Sequence, residues 1–273
     1  MERCEEALLM NTLIMNAAEG RIQIALAQEE TLLCAQEWSA PSKGTELLTP
    51  VLADMLGRLG LRPASVDRIA CVAGPGSFTG LRLVLTTAAA FRRATGASVA
   101  PLNVLQALAA SLPFAALFPD RPSLRVRAVT HARRGLVHGQ DFLVSPGSLP
   151  LPQGEPAMWE LTAACGGQRP DVVIGSGLAR NLAHFQDTFT SEAPLFLPSV
   201  IHPTPEALLA LTLSLPGDAW VQRDLDPLYL RPCDAVDNLA SIAAKRGQAP
   251  EEALAQLDRL LGPAPEDVIR EKA

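Results

Sequence analysis

From Ile22 to Leu26 the apolar residues Ile22, Ile24 and Leu26 alternate with Gln23 and Ala25, the two-residue period of a strand. Leu13-Ile14-Met15 just before reads as a first strand, Asn16 to Gly20 as the turn between them, and Thr31 to Trp38 as a third strand. At Thr45 the period changes. Leu47, Leu48, Val51, Leu52, Met55, Leu56 and Leu59 recur at three- and four-residue steps, which predicts a helix with a broad apolar stripe ending near Gly60. Ile69 to Ala73 is a short apolar run with the character of a buried strand, and the Ala-rich run Leu83 to Thr95 reads as a helix closed by Gly96. Val99 to Leu102 reads as a strand, and Asn103 is placed to cap a helix from Val104 to about Leu112.

Pro113 to Pro122 breaks the pattern, so a lobe boundary is expected between Ser98 and Pro122. A hairpin is expected next, Arg125 to Thr130 and Leu136 to Leu143 joined by His131-Ala132-Arg133-Arg134-Gly135. The Pro/Gly-rich stretch Val144 to Pro156 reads as a connection, followed by a helix around Trp159 to Cys165. Asp171 to Ile174 then runs into Gly175-Ser176-Gly177 and Leu178-Ala179-Arg180, a faint echo of the strand–turn–helix near Gly74. Thr204-Pro205-Glu206 is a helix start with Thr as cap and Pro in the first turn, continued by Ala207 to Leu215. Asp237 to Arg246 and Pro250 to Leu261 read as two short amphipathic helices split by Gly247, and the tail beyond Pro263 is expected to fray.

The stretch with the most chemical content is Val72-Ala73-Gly74-Pro75-Gly76-Ser77-Phe78-Thr79-Gly80-Leu81-Arg82. Strand, Gly-rich turn and helix in that order bring backbone N–H groups to a helix N-terminus, where an anion is favoured. Ser77 or Thr79 is placed to cap that helix. The same pattern equally serves as ordinary architecture. No Gly-Lys-Ser/Thr closes it as a Walker loop, and it is not a G-x-G-x-x-G fingerprint. A nucleophile reading of Ser77 lacks a neighbouring His in the sequence.

Composition narrows the classes. With 273 residues, 48% of them hydrophobic and 19% charged, the chain is long and apolar enough for a substantial core. Aromatics are only 4%, so that core is expected to be built from Ala, Leu and Val. A net charge of −6 argues against unaided binding of nucleic acid through phosphates. Cys4, Cys34, Cys71, Cys165 and Cys233 are dispersed without a C-x-x-C pair, and His131, His138, His184 and His202 lack metal-ligand spacing. The acidic start Met1-Glu2-Arg3-Cys4-Glu5-Glu6 is wrong for a secretory signal, and no apolar run is long enough to span a bilayer. A soluble, cytoplasmic protein is the expectation.

Gly74-Pro75-Gly76-Ser77-Phe78-Thr79-Gly80-Leu81-Arg82 resembles the signature of the bacterial TsaB (YeaZ) family, and Asp226-Pro227-Leu228-Tyr229-Leu230-Arg231 resembles that family's closing Pro-x-Tyr-Leu-Arg segment. The resemblance extends, more weakly, from about Leu13 to Arg231. It implies a two-lobed α/β fold of the actin-like (sugar kinase/Hsp70/actin) class, with lobes at 1–103 and 104–231 and a helical C-terminal extension at 232–273. It also implies a non-catalytic subunit paired with a TsaD-like catalytic subunit, with a TsaE-like ATPase in the same complex, for threonylcarbamoyl transfer to adenosine 37 of tRNA. By the same resemblance tRNA is met only through the complex, and ATP and Mg²⁺ enter through the partners rather than this chain. The partner face is expected on the helices after Thr45 and after the Gly-rich loop, at Leu48, Leu52, Met55, Leu85, Ala88 and Phe91, whereas the apolar stripe taken by itself reads first as packing on the chain's own sheet. That face is also available for self-pairing as a homodimer when the partner is absent.

Three departures bear on chemistry. ATP-using members of the superfold place an Asp at the end of the first strand. Asn16 stands at that point here, and an amide lacks the charge a hard cation favours. The family's Asp-Ala-Arg hairpin turn reads His131-Ala132-Arg133, and the His that often begins the helix near Thr45 is Gly44. The rival reading is a small ATP-binding phosphotransferase that uses the Gly74–Gly80 loop.

Overall fold

A computed structural model describes residues 9–39, 44–189 and 193–230, and beyond them 239, 243–244, 246–247 and 249–261. β1 (Asn11–Asn16) pairs antiparallel with β2 (Ile22–Gln28), and β2 with β3 (Thr31–Trp38). On the other side β1 pairs parallel with β4 (Arg68–Gly74), and β4 parallel with β5 (Ser98–Asn103). The first sheet therefore runs β3-β2-β1-β4-β5.

The second sheet repeats this plan. β6 (Leu124–Arg133) pairs antiparallel with β7 (Leu136–Val144), which pairs with β8 (Leu151–Pro152) and with β9 (Ala157–Glu160). β6 also pairs parallel with β10 (Val172–Ile174), and β10 parallel with β11 (Leu195–Leu197). The order β8-β7-β6-β10-β11 matches the first sheet strand for strand, in direction as well as position.

Helices cover both faces of both sheets, which is why β1, β4 and β10 are apolar at successive positions rather than at alternate ones. α1 (Gly44–Arg58) and α2 (Phe78–Thr95) pack on one face of the first sheet over Leu13, Met15, Ile24, Ile69 and Val99. The opposite face, with Ile14, Ala70 and Val72, shares a core with Val126, Ala128 and Phe142 of the second sheet. α3 (Val104–Ala110), the short α4 (Phe114–Leu117) and α8 (Pro205–Leu213) contribute Leu105, Leu108, Phe114 and Leu208 to that shared core. The outer face of the second sheet is covered by α5 (Leu161–Ala164), α6 (Ser176–Arg180) and α7 (Leu182–Thr188), around Val129, Val173, Leu178 and Phe185. Because the central core is common to both sheets, residues Met1–Leu230 form one compact unit and Arg231–Ala273 another. In the latter, α9 (Pro250–Leu261) forms where the periodicity places it. Most of the expected helix Asp237 to Arg246 lies outside the described residues.

Two local expectations are corrected. His131-Ala132-Arg133 belongs to β6 rather than to a turn, with a bulge between His131 and Arg133. Gly135, at φ 79°, allows a tight turn that lets both strands run longer. Trp159 lies in β9, not in a helix, opposite Val137. A Cβ at Gly139 would fall 2.1 Å from the Trp159 ring, so the ring covers this glycine and sheet pairing overrides the local helical pattern.

Candidate functional site

The Gly-rich loop leaves β4 and enters α2. Ser77 is the cap: its backbone is extended and its Oγ accepts from Gly80 N–H at 3.3 Å. Thr79, the alternative, is exposed. The glycines are explained by what presses on them. A Cβ at Gly76 would lie 2.2 Å from Ala18 O, and one at Gly80 would lie 1.8 Å from Ala17 O. Both carbonyls belong to the turn between β1 and β2. Ser77 N–H also donates to Ala18 O at 2.6 Å. Gly74, at φ 142°, meets Leu228 O, where a Cβ would approach to 2.7 Å. The loop is thus backed on its glycine side by carbonyl oxygens of its own chain, and Ser77 N–H and Gly80 N–H, two candidate donors to an anion, are engaged by Ala18 O and Ser77 Oγ.

The second resembling stretch arrives at the same place. Leu228 N–H donates to Ala73 O at 2.8 Å, and Tyr229 stacks on Phe78 with ring centroids 5.2 Å apart and planes 20° from parallel. Arg82 lies over the Phe78 ring at 4.0 Å and its Nε donates to the Tyr229 hydroxyl at 3.1 Å. Residues 147 apart in the chain form one cluster, with Phe78 37% and Tyr229 39% exposed. The segment leading there is tied down as it goes. Val221 exchanges backbone bonds with Val99, and Asp224 takes both Arg92 and Arg93, with Arg92 first among the causes that hold its carboxyl below the usual range.

The end of β1 does not fit a magnesium–phosphate site. Asn16 Nδ2 donates to Gln23 Oε1 at 2.6 Å and Asn16 Oδ1 accepts from Ala18 N–H at 2.9 Å, so both ends of the amide are engaged inside the hairpin. Gln23 is fixed in turn, donating from Nε2 to Pro203 O at 2.6 Å. Gly44 is buried, with room for a Cβ only 2.9 Å from Leu83 Cδ2 and 3.1 Å from Ile22 Cδ1, so the position is packed against larger residues. Among the described residues no group of three His, Cys, Asp or Glu side chains is placed to hold a metal. Cys71 is buried in the core, and burial pushes its thiol up, which removes thiolate chemistry there.

The partner-face expectation needs a correction. Leu48, Leu52, Met55, Leu85 and Ala88 are buried against the first sheet, Leu48 at 1% exposure, and only Phe91 of the six is half-buried. The stripes that identified α1 and α2 as helices are their inward faces. Outward, the two helices present Thr49, Ala53 and Gly57, and Thr86, Ala90 and Ala94. Periodicity locates the apolar stripe, and that stripe is the face each helix buries against its own sheet.

Sequence reasoning also missed Glu19, whose carboxylate meets Ser176. Its only sequence signal was an acidic residue in an otherwise small turn. The meeting of the Gly loop with Leu228 and Tyr229 was signalled only by the two resembling stretches.

Comparisons with known proteins bear on this geometry. Residues 40–142, which carry α1, the Gly-rich loop and the β6–β7 hairpin, match the family model described as TsaD: tRNA N6-adenosine threonylcarbamoyltransferase. A structure described as YeaZ from Pseudomonas aeruginosa superposes with a TM-score of 0.66 at 22% identity, covering 81% of this chain and 100% of that one. A second structure, of an uncharacterised protein with similarity to peptidase YEAZ from Pseudomonas aeruginosa, gives the same values. This chain has the YeaZ fold. It is an α/β fold of the actin-like class with two sheets of one plan, as the resemblance implied. No helix among the described residues is long and apolar enough to cross a membrane.

Proposed function

We propose that this chain is a TsaB-like, non-catalytic subunit that pairs with a TsaD-like catalytic subunit in threonylcarbamoyl transfer to adenosine 37 of tRNA. The observation that carries the reading is the signature loop. Its glycines are spent on the chain's own Ala17, Ala18 and Leu228 carbonyls, so the loop serves to hold a surface rather than to bind phosphate. The engaged amide of Asn16 supports the same reading and counts against the phosphotransferase. The TsaD-described match over residues 40–142 and the YeaZ fold support the pathway.

In this account the outward faces of α1 and α2 meet the partner, with Thr49, Ala53, Ala90 and Ala94 allowing close helix approach. Phe91 remains at the edge of that face. The same face pairs with a second copy when the partner is absent. ATP, Mg²⁺ and a TsaE-like ATPase belong to the complex, tRNA is held through it, and the setting is cytoplasmic. Residues 1–103 and 104–231 act as the two lobes, with 232–273 as an extension.

The test is sizing of this chain mixed with the TsaD-like protein of its own organism. A stable one-to-one species that is lost on Ala90→Arg, with the variant still folded, supports the account. Absence of a complex, together with Mg²⁺-dependent ATP binding by the chain alone, overturns it in favour of the enzyme.

A further inference from the structure

Glu19 leaves the β1–β2 turn and reaches the second sheet. Ser176 Oγ, at the start of α6, donates to Glu19 Oε1, and the same Oγ accepts from His131 N–H at 2.9 Å. The other carboxylate oxygen, Oε2, is enclosed with no hydrogen-bond partner, and so is His131 Nδ1. We propose that Glu19 latches the β1–β2 turn to the second sheet through Ser176, and that the latch releases when the carboxyl carries its charge.

The reason is the second oxygen. A carboxylate spreads its charge over both oxygens, and an enclosed oxygen without a donor is strongly penalised. A neutral carboxyl keeps the Ser176 bond without that charge. The groups facing it are Ser176 and Arg180 from α6 and His131 from β6. Burial lifts the Glu19 carboxyl to about 7, against the lowering influence of the Ser176 bond, Arg180 and the His131 N–H. His131 gives little help as a cation, since burial and then Arg180 hold it below its usual range. Ala17 and Ala18 stay pressed on the signature loop, so release separates the second sheet from the turn without unravelling the hairpin.

Hydrogen exchange of the full chain at about pH 6 and about pH 8, corrected for the intrinsic chemical rate, tests the latch. Protection of His131 and of residues 176–180 is expected to fall about tenfold across that interval, as the ionised fraction rises. Glu19→Gln keeps the acceptor and cannot ionise, so it holds protection at both values, while Ser176→Ala is low at both. Equal protection of the unmodified chain at the two values overturns the latch. So does a Glu19→Gln chain that loses protection as the original does, or a Ser176→Ala chain as protected at about pH 6 as the original.

Discussion

β4–Gly74–α2 and β10–Gly175–α6 occupy equivalent positions in two sheets of the same order, yet they do different work. In both, glycine admits a carbonyl from the hairpin beside it: Ala18 O and Ala17 O against Gly76 and Gly80, and Val129 O against Gly175. A Cβ at Gly175, at φ 111°, would lie 2.0 Å from that oxygen. The first unit then launches an 18-residue helix capped by Ser77, and its serine is consumed by the cap. The second launches five residues without a side-chain cap, and its serine reaches Glu19 in the first half of the chain. A shared place in the sheet order therefore does not imply a shared role. What the serine does with its hydroxyl separates a folding element from a contact between halves.

The comparison breaks most visibly in the core beneath the first unit. Leu48→Asp puts a charge where the side chain is 1% exposed, and is expected to cost about 4 kcal/mol or more. Denaturant unfolding followed by circular dichroism checks it; a folded, equally stable variant would return Leu48 to the partner face. Next comes Gly80→Val, which must displace Ala17 O and is expected to cost roughly 2–4 kcal/mol in the same assay. Asn16→Asp sets a carboxylate against Gln23 Oε1 and loses one donor, an expected loss of about 1–3 kcal/mol. Calorimetric titration of that variant with Mg²⁺ should show no site gained.

A smaller effect sharpens the second unit. Glu19 binds its proton more tightly folded than unfolded, because burial raises its pKa from 4.5 to about 7. Its contribution to stability is therefore fully present below 4.5, is lost as pH rises toward about 7, and is flat above. The full swing is at most about 3 kcal/mol and should vanish in Glu19→Gln. Smallest is Gly57→Ala on the outer face of α1, where a Cβ meets nothing within 4 Å. It should raise stability by roughly 0.5–1 kcal/mol, measured as a shift in Tm.

Strands and helices were legible wherever one period ran long enough. The strand Thr31–Trp38 formed over the residues read from the sequence, and Asn103 and Thr204 cap their helices by accepting from Leu105 and Ala207. Expectation failed where a partner across the sheet decided the outcome, as at Trp159 over Gly139. β11 has only three residues, too short for any period to register. In the site, glycine spacing announced a close approach but not its source. That required knowing that β1 and β4 are neighbours, which brings Ala17 and Ala18 against the loop. Five of the six residues named for a partner face are buried for a related reason. An apolar stripe marks burial, and a chain this size buries it against its own sheet.

The most direct test of the central claim is reconstitution of threonylcarbamoyl transfer to tRNA with the TsaD-like protein of the same organism, with and without this chain. The account predicts modified adenosine only when the chain is present, and loss of that stimulation with the folded Ala90→Arg variant. Equal modification without the chain would contradict it.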